Sequence, residues 1–498
     1  MVLASFSCKG RGAGPPDSLA RVRAAGVLRW GGDVQGGEPY IYEDPEHPGQ
    51  QKGFEVDLAA ALARELGVRP QFVQNDWSAL VPSLERGTFD VILNGLEVMP
   101  SRVGRVRFTR PYYVFASRLM ARRDDTRPQF QVTPQHPVTL DSLRGLRVGT
   151  LTNSFCAGIM EGHAEVVLYE GTEEPYVDLV QGRTDAVLFD DIIATRYGEP
   201  KPELRVVADL QDGFYSAALR PADETLAVAL DQALGRLIER GELERILRGE
   251  NIWNERQVGL RTWGPTDQAR MLGPGAAQSA QGPPPRRRMS LTQAWMFVQA
   301  SGVTLLVSVL AMLLAVPLGL FLAVLRLYAP APLAKLAGAY VEFYRGTPVL
   351  LQLYVLYYGL AEVINLKPMT AAVLGLAMNY GAYEAEVYRA GIQAVPKGQF
   401  EAAVSLGMTT PLALRRVILP QAFRLALPSV TNDFIALLKD SSMVSIITVV
   451  ELTKRMTIVA VDTRSYVLPG LLCAGLYFLM SYPLSLVAQR LEERLARS

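Results

Sequence analysis

The stretch EAAVSLGMTTPLALRRVILP, residues 401–420, carries the most informative spacing in the chain. Glu401, Ala402 and Ala403 are followed after three residues by Gly407, and after nine more by Val417, with Leu419 and Pro420 behind it. This pattern predicts a short helix over residues 399–406, a glycine break, and a second helix closed by Pro420. Such a pair offers an amphipathic knob to a partner's groove, so its chemistry is docking rather than bond making. Catalytic or metal-binding groupings are sparse. Cys8, Cys156 and Cys473 are too few and too scattered for a disulfide framework or a zinc site, and His47, His136 and His163 show no ligand spacing. No G-x-x-x-x-G-K-[ST] loop occurs, so hydrolysis of ATP by that route is excluded for this chain. Metals and cofactors are not expected.

The elements that must position these residues divide into two kinds. Residues 289–325 contain no charged side chain, more than the ~20 apolar residues an α-helix needs to cross the hydrocarbon core, and no comparable stretch precedes them. The first half therefore reads as soluble and the second as embedded. Formal net charge is +1 with no basic face, which argues against nucleic acid as a partner. Residues 17–256 alternate β-rich runs with alanine-rich helical stretches, such as FEVDLAAALAREL from Phe54 to Leu66, the rhythm of α/β layers with mostly parallel sheets. Residues 257–288 read as a linker, rich in glycine and proline from residue 264 onward, with a reach of ~25–30 Å if flexible. Residues 1–16 form a tail, and residues 289–498 the membrane domain.

Five spans are expected, near residues 292–325, 336–361, 370–392, 425–450 and 466–489. Arg326, Lys335 and Arg345, then Lys397, Arg415, Arg416 and Arg424, then Arg490, Arg494 and Arg497 are mutually consistent as cytoplasmic sites. Arg286, Arg287, Arg288, Lys454, Arg455 and Arg464 run against that rule, so orientation leans on the Glu401 segment. Glu342 with Arg345 and Glu386 with Arg389 have the i,i+3 spacing of fold-stabilising pairs. Lys439-Asp440 marks either a polar membrane interior or an outer helix end.

The Glu401 segment resembles the EAA loop of ABC importer permeases, which docks into the ATP-hydrolysing subunit. YVEFYRGTPVLLQ (residues 340–352) and MNYGAYEAEVYRAGIQAVPKGQ (378–399) look like the signature segments of polar amino acid permeases. The resemblance implies a separate ABC ATPase partner that binds the ATP, a homodimer of this chain with a heterodimer as the lesser alternative, and surrounding membrane lipid. NGLEVMPSRVGRVRFTRPYY (94–113) resembles type-3 solute-binding proteins for polar amino acids, whose fold is a two-lobed α/β clamp. By that resemblance Asn94, Gly95 and Glu97 lie at a strand end that presents donors to the ligand, and Arg102 clamps its α-carboxylate. Trp77 stacks on the ligand, Asp190 in TDAVLFDD (184–191) holds its α-ammonium, and the Ser154 amide and hydroxyl meet its carboxylate. The chain departs from the pattern at Glu97, where serine or threonine is usual, and at Phe155, where a small hydroxyl residue is common. Glu97 favours a cationic side chain or strengthens the ammonium site. The aromatic expected ahead of Pro39 is missing, leaving Asp33 and Tyr40 as weaker candidates.

The implied protein is an amino acid importer subunit of the bacterial inner membrane. Its residues 17–256 would lie on the periplasmic or extracellular side, hinged near residues 113–118 and 216–220. Such placement requires a secretory route; Cys8 resembles a lipidated cysteine, and a misassigned start is the other reading. The rival function is a ligand-gated ion channel of glutamate-receptor type, which joins the same clamp to membrane helices but interrupts the clamp with its pore. An extracytoplasmic enzyme or a sensor domain on this fold would leave the second half unexplained.

Overall fold

The computed structural model describes residues 17–44, 46–47, 49–132, 137–264, 271–272, 289–361, 363–463 and 465–496. Cys8, His136, Arg286, Arg287, Arg288, Arg464 and Arg497 lie outside the described residues. Two compact units are present, residues 1–285 and 286–498.

In the first unit, β1 (Val27–Gly32) pairs in parallel with β4 (Arg69–Gln74) and β5 (Val91–Ile92). A small ribbon, β2 (Tyr42–Glu43) with β3 (Gln51–Lys52), lies between β1 and β4 in sequence. The Phe54–Leu66 helix buries Leu58, Ala61, Leu62 and Leu66, which share one face at helical spacing, and ends at Gly67 in the left-handed region. A second parallel group joins β7 (Arg147–Leu151), β8 (Glu165–Tyr169) and β9 (Ala186–Asp190). Two 16-residue strands connect the groups, β6 (Arg107–Arg122) and β10 (Leu204–Leu219), paired antiparallel, so the sheet runs β4-β1-β5-β10-β6-β9-β7-β8.

This is a two-lobed mixed α/β clamp. Each lobe has a core of its own, around Leu84 and Phe89 in the first and Leu143 and Leu188 in the second, and a further apolar cluster runs continuously from Leu58 and Leu62 through Tyr113 and Tyr215 to Leu179 and Val187. The two crossing strands pair irregularly around the expected hinge: Val114, Phe115 and Ala116 lie opposite Phe214, Gly213 and Asp212, and the register shifts between Asp209 and Asp212, between Tyr215 and Ser216 and between Ser216 and Ala218. The segment expected as linker begins as packed structure: Gln257 is buried, with its Nε2 donating to Val114 O, and Trp263 and Met271 join the first lobe's core.

The second unit is all α. A capping box of Ser290 and Gln293 opens the Leu291–Tyr328 helix, and long helices follow at Pro368–Ala394, Leu419–Asp440 and Val467–Ala496. Among the described residues two helices are long and apolar enough to cross a membrane, Leu291–Tyr328 and residues 467–490. The expected span at 336–361 is broken into Ala331–Gly346 and Val349–Tyr354 with a wide turn through Gly359, because Pro348 lacks the amide that would continue the helix. An unexpected Leu452–Thr463 helix carries Lys454 and Arg455. Arg389 pairs with Glu386, which also binds Arg326. Arg345 instead lies over the Tyr383 ring, and no Glu342–Arg345 ion pair forms among the described residues. Lys439-Asp440 ends its helix, with Asp440 accepting a hydrogen bond from the Tyr380 hydroxyl at 2.7 Å.

Candidate functional site

Parallel strands release their chains at one edge, and ligands bind outside that carboxyl edge. Here β1 leads to Asp33, β4 to Trp77, β5 to Asn94, Gly95 and Glu97, β8 to Glu170 and β9 to Asp190, and all of these residues line one cavity of about 50 Å³. Tyr40, Leu151, Thr172 and Tyr215 are also in its walls, with Tyr40 and Tyr215 joined through their hydroxyls at 2.8 Å. Sequence reasoning missed Tyr215 and Glu170; the available signal was position, on the crossing strand and directly after β8.

Each predicted residue has a definite place. Asp33 is engaged by three donors, Trp77 N at 2.8 Å, Gln35 N at 2.9 Å and Gln74 Nε2 at 3.0 Å. It thereby fixes the turn that presents the Trp77 ring. Asn94 Oδ1 accepts the Asp33 amide at 2.7 Å. Gly95 has φ +55, and an added Cβ would stand 2.8 Å from Tyr40 Cε1, so glycine is required there. The Gly95 amide was expected to face the ligand. It donates instead to the buried Glu55 carboxylate at 2.5 Å, which also accepts from the Tyr112 hydroxyl at 2.5 Å. Burial raises the Glu55 carboxyl to about 7.

Ser154 is also redirected. Its hydroxyl donates to Leu151 O at 2.8 Å and accepts from Ala157 N at 3.1 Å, capping the Phe155–Ile159 helix, and it does not line the cavity. The amide that reaches the other lobe belongs to Phe155, which donates to Glu97 Oε1 at 3.0 Å.

Arg102 does not open onto the cavity as a free clamp. Its Nη1 donates to Glu97 Oε2 at 2.7 Å and to the Glu97 carbonyl at 2.8 Å, its Nη2 donates to Asn153 O at 2.7 Å, and its guanidinium lies 5.4 Å from the Trp77 ring centroid. Glu97 is held in place by a backbone bridge to Tyr215 on the crossing strand. Trp77 Nε1 donates to Thr152 O at 3.0 Å, so Trp77, Glu97 and Arg102 all bond across the lobes in this closed arrangement.

Asp190 faces them from the second lobe. Only 8% of it is exposed; Oδ2 accepts a 3.4 Å bond from the Tyr40 hydroxyl, while Oδ1 has no hydrogen-bond partner among the described residues. Burial, reinforced by Glu97 and Asp191, pushes its carboxyl well above the usual range. A second cavity, about 500 Å³, is lined by Tyr113, Arg118, Asp191 and residues 249–254. Its guanidinium Arg118 is already held by Asp209 and Glu199.

In the second unit the Lys397–Ser405 helix ends at Gly407, φ +83, whose amide donates to Val404 O. Ala403 is buried while Glu401, Ala402, Val404 and Leu406 are exposed. The second helix does not close at Pro420. Leu419 and Pro420 open the next long helix, where proline's missing amide is harmless.

A cleft between two α/β lobes, followed by a unit of long apolar helices, defines a solute-capturing membrane transport subunit. Residues 29–249 match the bacterial extracellular solute-binding proteins, family 3, and residues 315–497 match the binding-protein-dependent transport system inner membrane component. The chain is 35% identical over 200 residues to a putative glutamine transport system permease protein of Rickettsia typhi, covering 40% of this chain and 92% of the relative. It is 38% identical over 196 residues to an L-cystine transport system permease of Bacillus subtilis, covering 39% and 84%. Among solved structures, an amino acid ABC transporter with histidines matches with 40% identity and a TM-score of 0.39, covering 41% of this chain and 96% of that one. The chain belongs to the binding-protein-dependent amino acid permeases, with a family 3 solute-binding domain fused ahead of the permease domain. It is an ABC-type amino acid importer subunit, its binding domain extracytoplasmic and its permease domain multi-pass in the inner membrane.

Proposed function

We propose that residues 17–256 capture a polar or charged amino acid in the cleft between β5, β8 and β9, and that residues 289–498 pass it inward as a homodimer. Asp190, with its open oxygen, takes the ligand's cationic group; Trp77, Tyr40 and Tyr215 wall it; and the Glu97–Arg102 pair borders it. ATP is bound and hydrolysed by a separate subunit docked on residues 401–420, where Val404 and Leu406 stand exposed. The chain itself performs no catalysis in this reading. Among the described residues, ten strands of the clamp follow one another between residues 27 and 219 with no membrane-spanning helix between them, which favours an importer over a channel whose pore splits the clamp.

The observation that carries the reading is the buried Asp190 oxygen, without a hydrogen-bond partner among the described residues, at a cavity closed from both lobes. Its test is titration calorimetry of the full chain in detergent against the standard amino acids. At least one should bind, and Asp190→Asn should lower that affinity 100-fold or more. Unchanged affinity in a folded Asp190→Asn protein contradicts it.

A further inference from the structure

The Arg102 guanidinium and the Phe155 amide, two groups suited to receive a ligand carboxylate at this cleft, are already engaged by the Glu97 carboxylate. Glu97 Oε2 accepts from Arg102 Nη1, Glu97 Oε1 accepts from the Phe155 amide, and the remaining arm of Arg102 holds Asn153 O. The pair is deeply sequestered, with side chains 10% and 6% exposed, so Glu97 does not exchange freely with solvent. The cavity beside it is lined by four carboxylates, Asp33, Glu97, Glu170 and Asp190, and by no lysine, arginine or histidine.

A ligand carboxylate could replace Glu97 on Arg102 Nη1 only by expelling it from that bond. The displaced carboxylate would then share a small cavity with Asp190, whose Oδ1 has no partner among the described residues. Like charges so placed repel strongly at low local dielectric. The exchange of one carboxylate for another on Arg102 gains nothing to offset that repulsion. A positive group beside Asp190, in a cavity that Trp77, Tyr40 and Tyr215 also line, meets a charge partner.

We propose that Glu97 is a built-in surrogate for the ligand carboxylate, and that the cleft selects organic cations, guanidinium or primary ammonium compounds, for which an α-carboxylate contributes little. This deepens the cleft assignment made above and rests on it. A basic amino acid and its decarboxylated amine are then near-equivalent ligands. An ordinary zwitterion clamp behaves otherwise: a site built to hydrogen-bond a group rejects the analogue lacking it by roughly 10⁴-fold or more.

The experiment is calorimetry of the full chain in detergent with arginine, agmatine, lysine, cadaverine and glutamine. Agmatine is expected to bind within tenfold of arginine and cadaverine within tenfold of lysine, with glutamine at least 100-fold weaker than arginine. Glu97→Thr should raise arginine affinity tenfold or more while moving agmatine less than threefold. Glu97→Gln, which keeps the side chain's shape and one acceptor for Arg102, should shift arginine in the same direction if the threonine variant fails to fold. Amines more than tenfold weaker than their amino acids, or a loss of arginine affinity in a folded Glu97 variant, overturn the proposal while leaving the cleft assignment standing. Absence of binding by any amino acid or amine to a cooperatively melting protein removes the cleft assignment itself.

Discussion

Arg102 and Glu97 form a buried ion pair that also staples the lobes, because Arg102 Nη2 donates to Asn153 O and Glu97 Oε1 accepts from the Phe155 amide on the far side. Removing one member leaves the other charge buried without its partner, a loss of about 3–5 kcal/mol in comparable pairs. Arg102→Ala should therefore lower the melting temperature of the binding domain sharply, and Arg102→Met combined with Glu97→Leu should recover most of it. Thermal denaturation followed by tryptophan fluorescence reads both. Equal melting of the single and double variants would contradict the pairing.

Asp190 should show the opposite sign. Burial disfavours its charged form, so Asp190→Asn, which removes the ionisable group, is expected to stabilise the ligand-free domain at neutral pH. The same change removes the cation's partner. Stability rising while affinity falls separates a binding role from a structural one, and a melt with and without ligand measures both.

Ligand binding should release or take up protons in a defined direction. Desolvation, Glu97 and Asp191 raise the Asp190 carboxyl, with Tyr40 bonded to it and Tyr176 also near it. A bound cation favours its ionised form, so binding a permanently charged guanidinium releases protons and affinity rises with pH through the raised value. Calorimetry in buffers of different ionisation enthalpy gives the proton count.

Glu55 gives a stability profile of its own. Its folded carboxyl titrates at about 7 against an ordinary 4.5, so the folded state binds more protons between those values. Stability from this group is present below the ordinary value and is lost as pH rises toward 7, by about 3 kcal/mol. Glu55→Gln should flatten that part of the pH–stability curve. An unchanged slope between pH 5 and 7 would contradict the assignment.

Much of this was legible in the sequence, for identifiable reasons. The Phe54–Leu66 helix announced itself by periodicity, and the Gly407 break by a residue that tolerates φ +83. The alternation of strand and helix gave the α/β layers, and the resemblance to type-3 solute-binding proteins gave the two-lobed clamp with Asp190 and Asn94 as its candidates. What could not be read was which donors were already taken. Asp33, Gly95 and Ser154 have the right types, yet their partners, Gln74, Glu55 and Ala157, become apparent only when the chain is folded. The Leu452–Thr463 helix was missed because Lys454 and Arg455 read as loop charges, while packing of Leu452 and Val459 decides its conformation. The Pro348 break was written in the sequence but was outweighed by the apolar run on both sides.

The docking role proposed for residues 401–420 predicts a separable defect. Leu406 is 80% exposed, so Leu406→Glu should leave the fold and ligand affinity unchanged while lowering ligand-stimulated ATP hydrolysis by the assembled transporter at least tenfold. Hydrolysis assays on the reconstituted complex decide it, and undiminished coupling would contradict the docking surface.

The central claim is that capture and docking lie on opposite sides of the membrane. Cys156 and Cys473 are buried, so in a Cys8→Ser background single substitutions Arg144→Cys, at a side chain 69% exposed, and Leu406→Cys provide one accessible thiol each. Right-side-out vesicles treated with a membrane-impermeant maleimide should label the protein carrying Arg144→Cys at once and the one carrying Leu406→Cys only after permeabilisation. Equal labelling of both before permeabilisation would contradict the account.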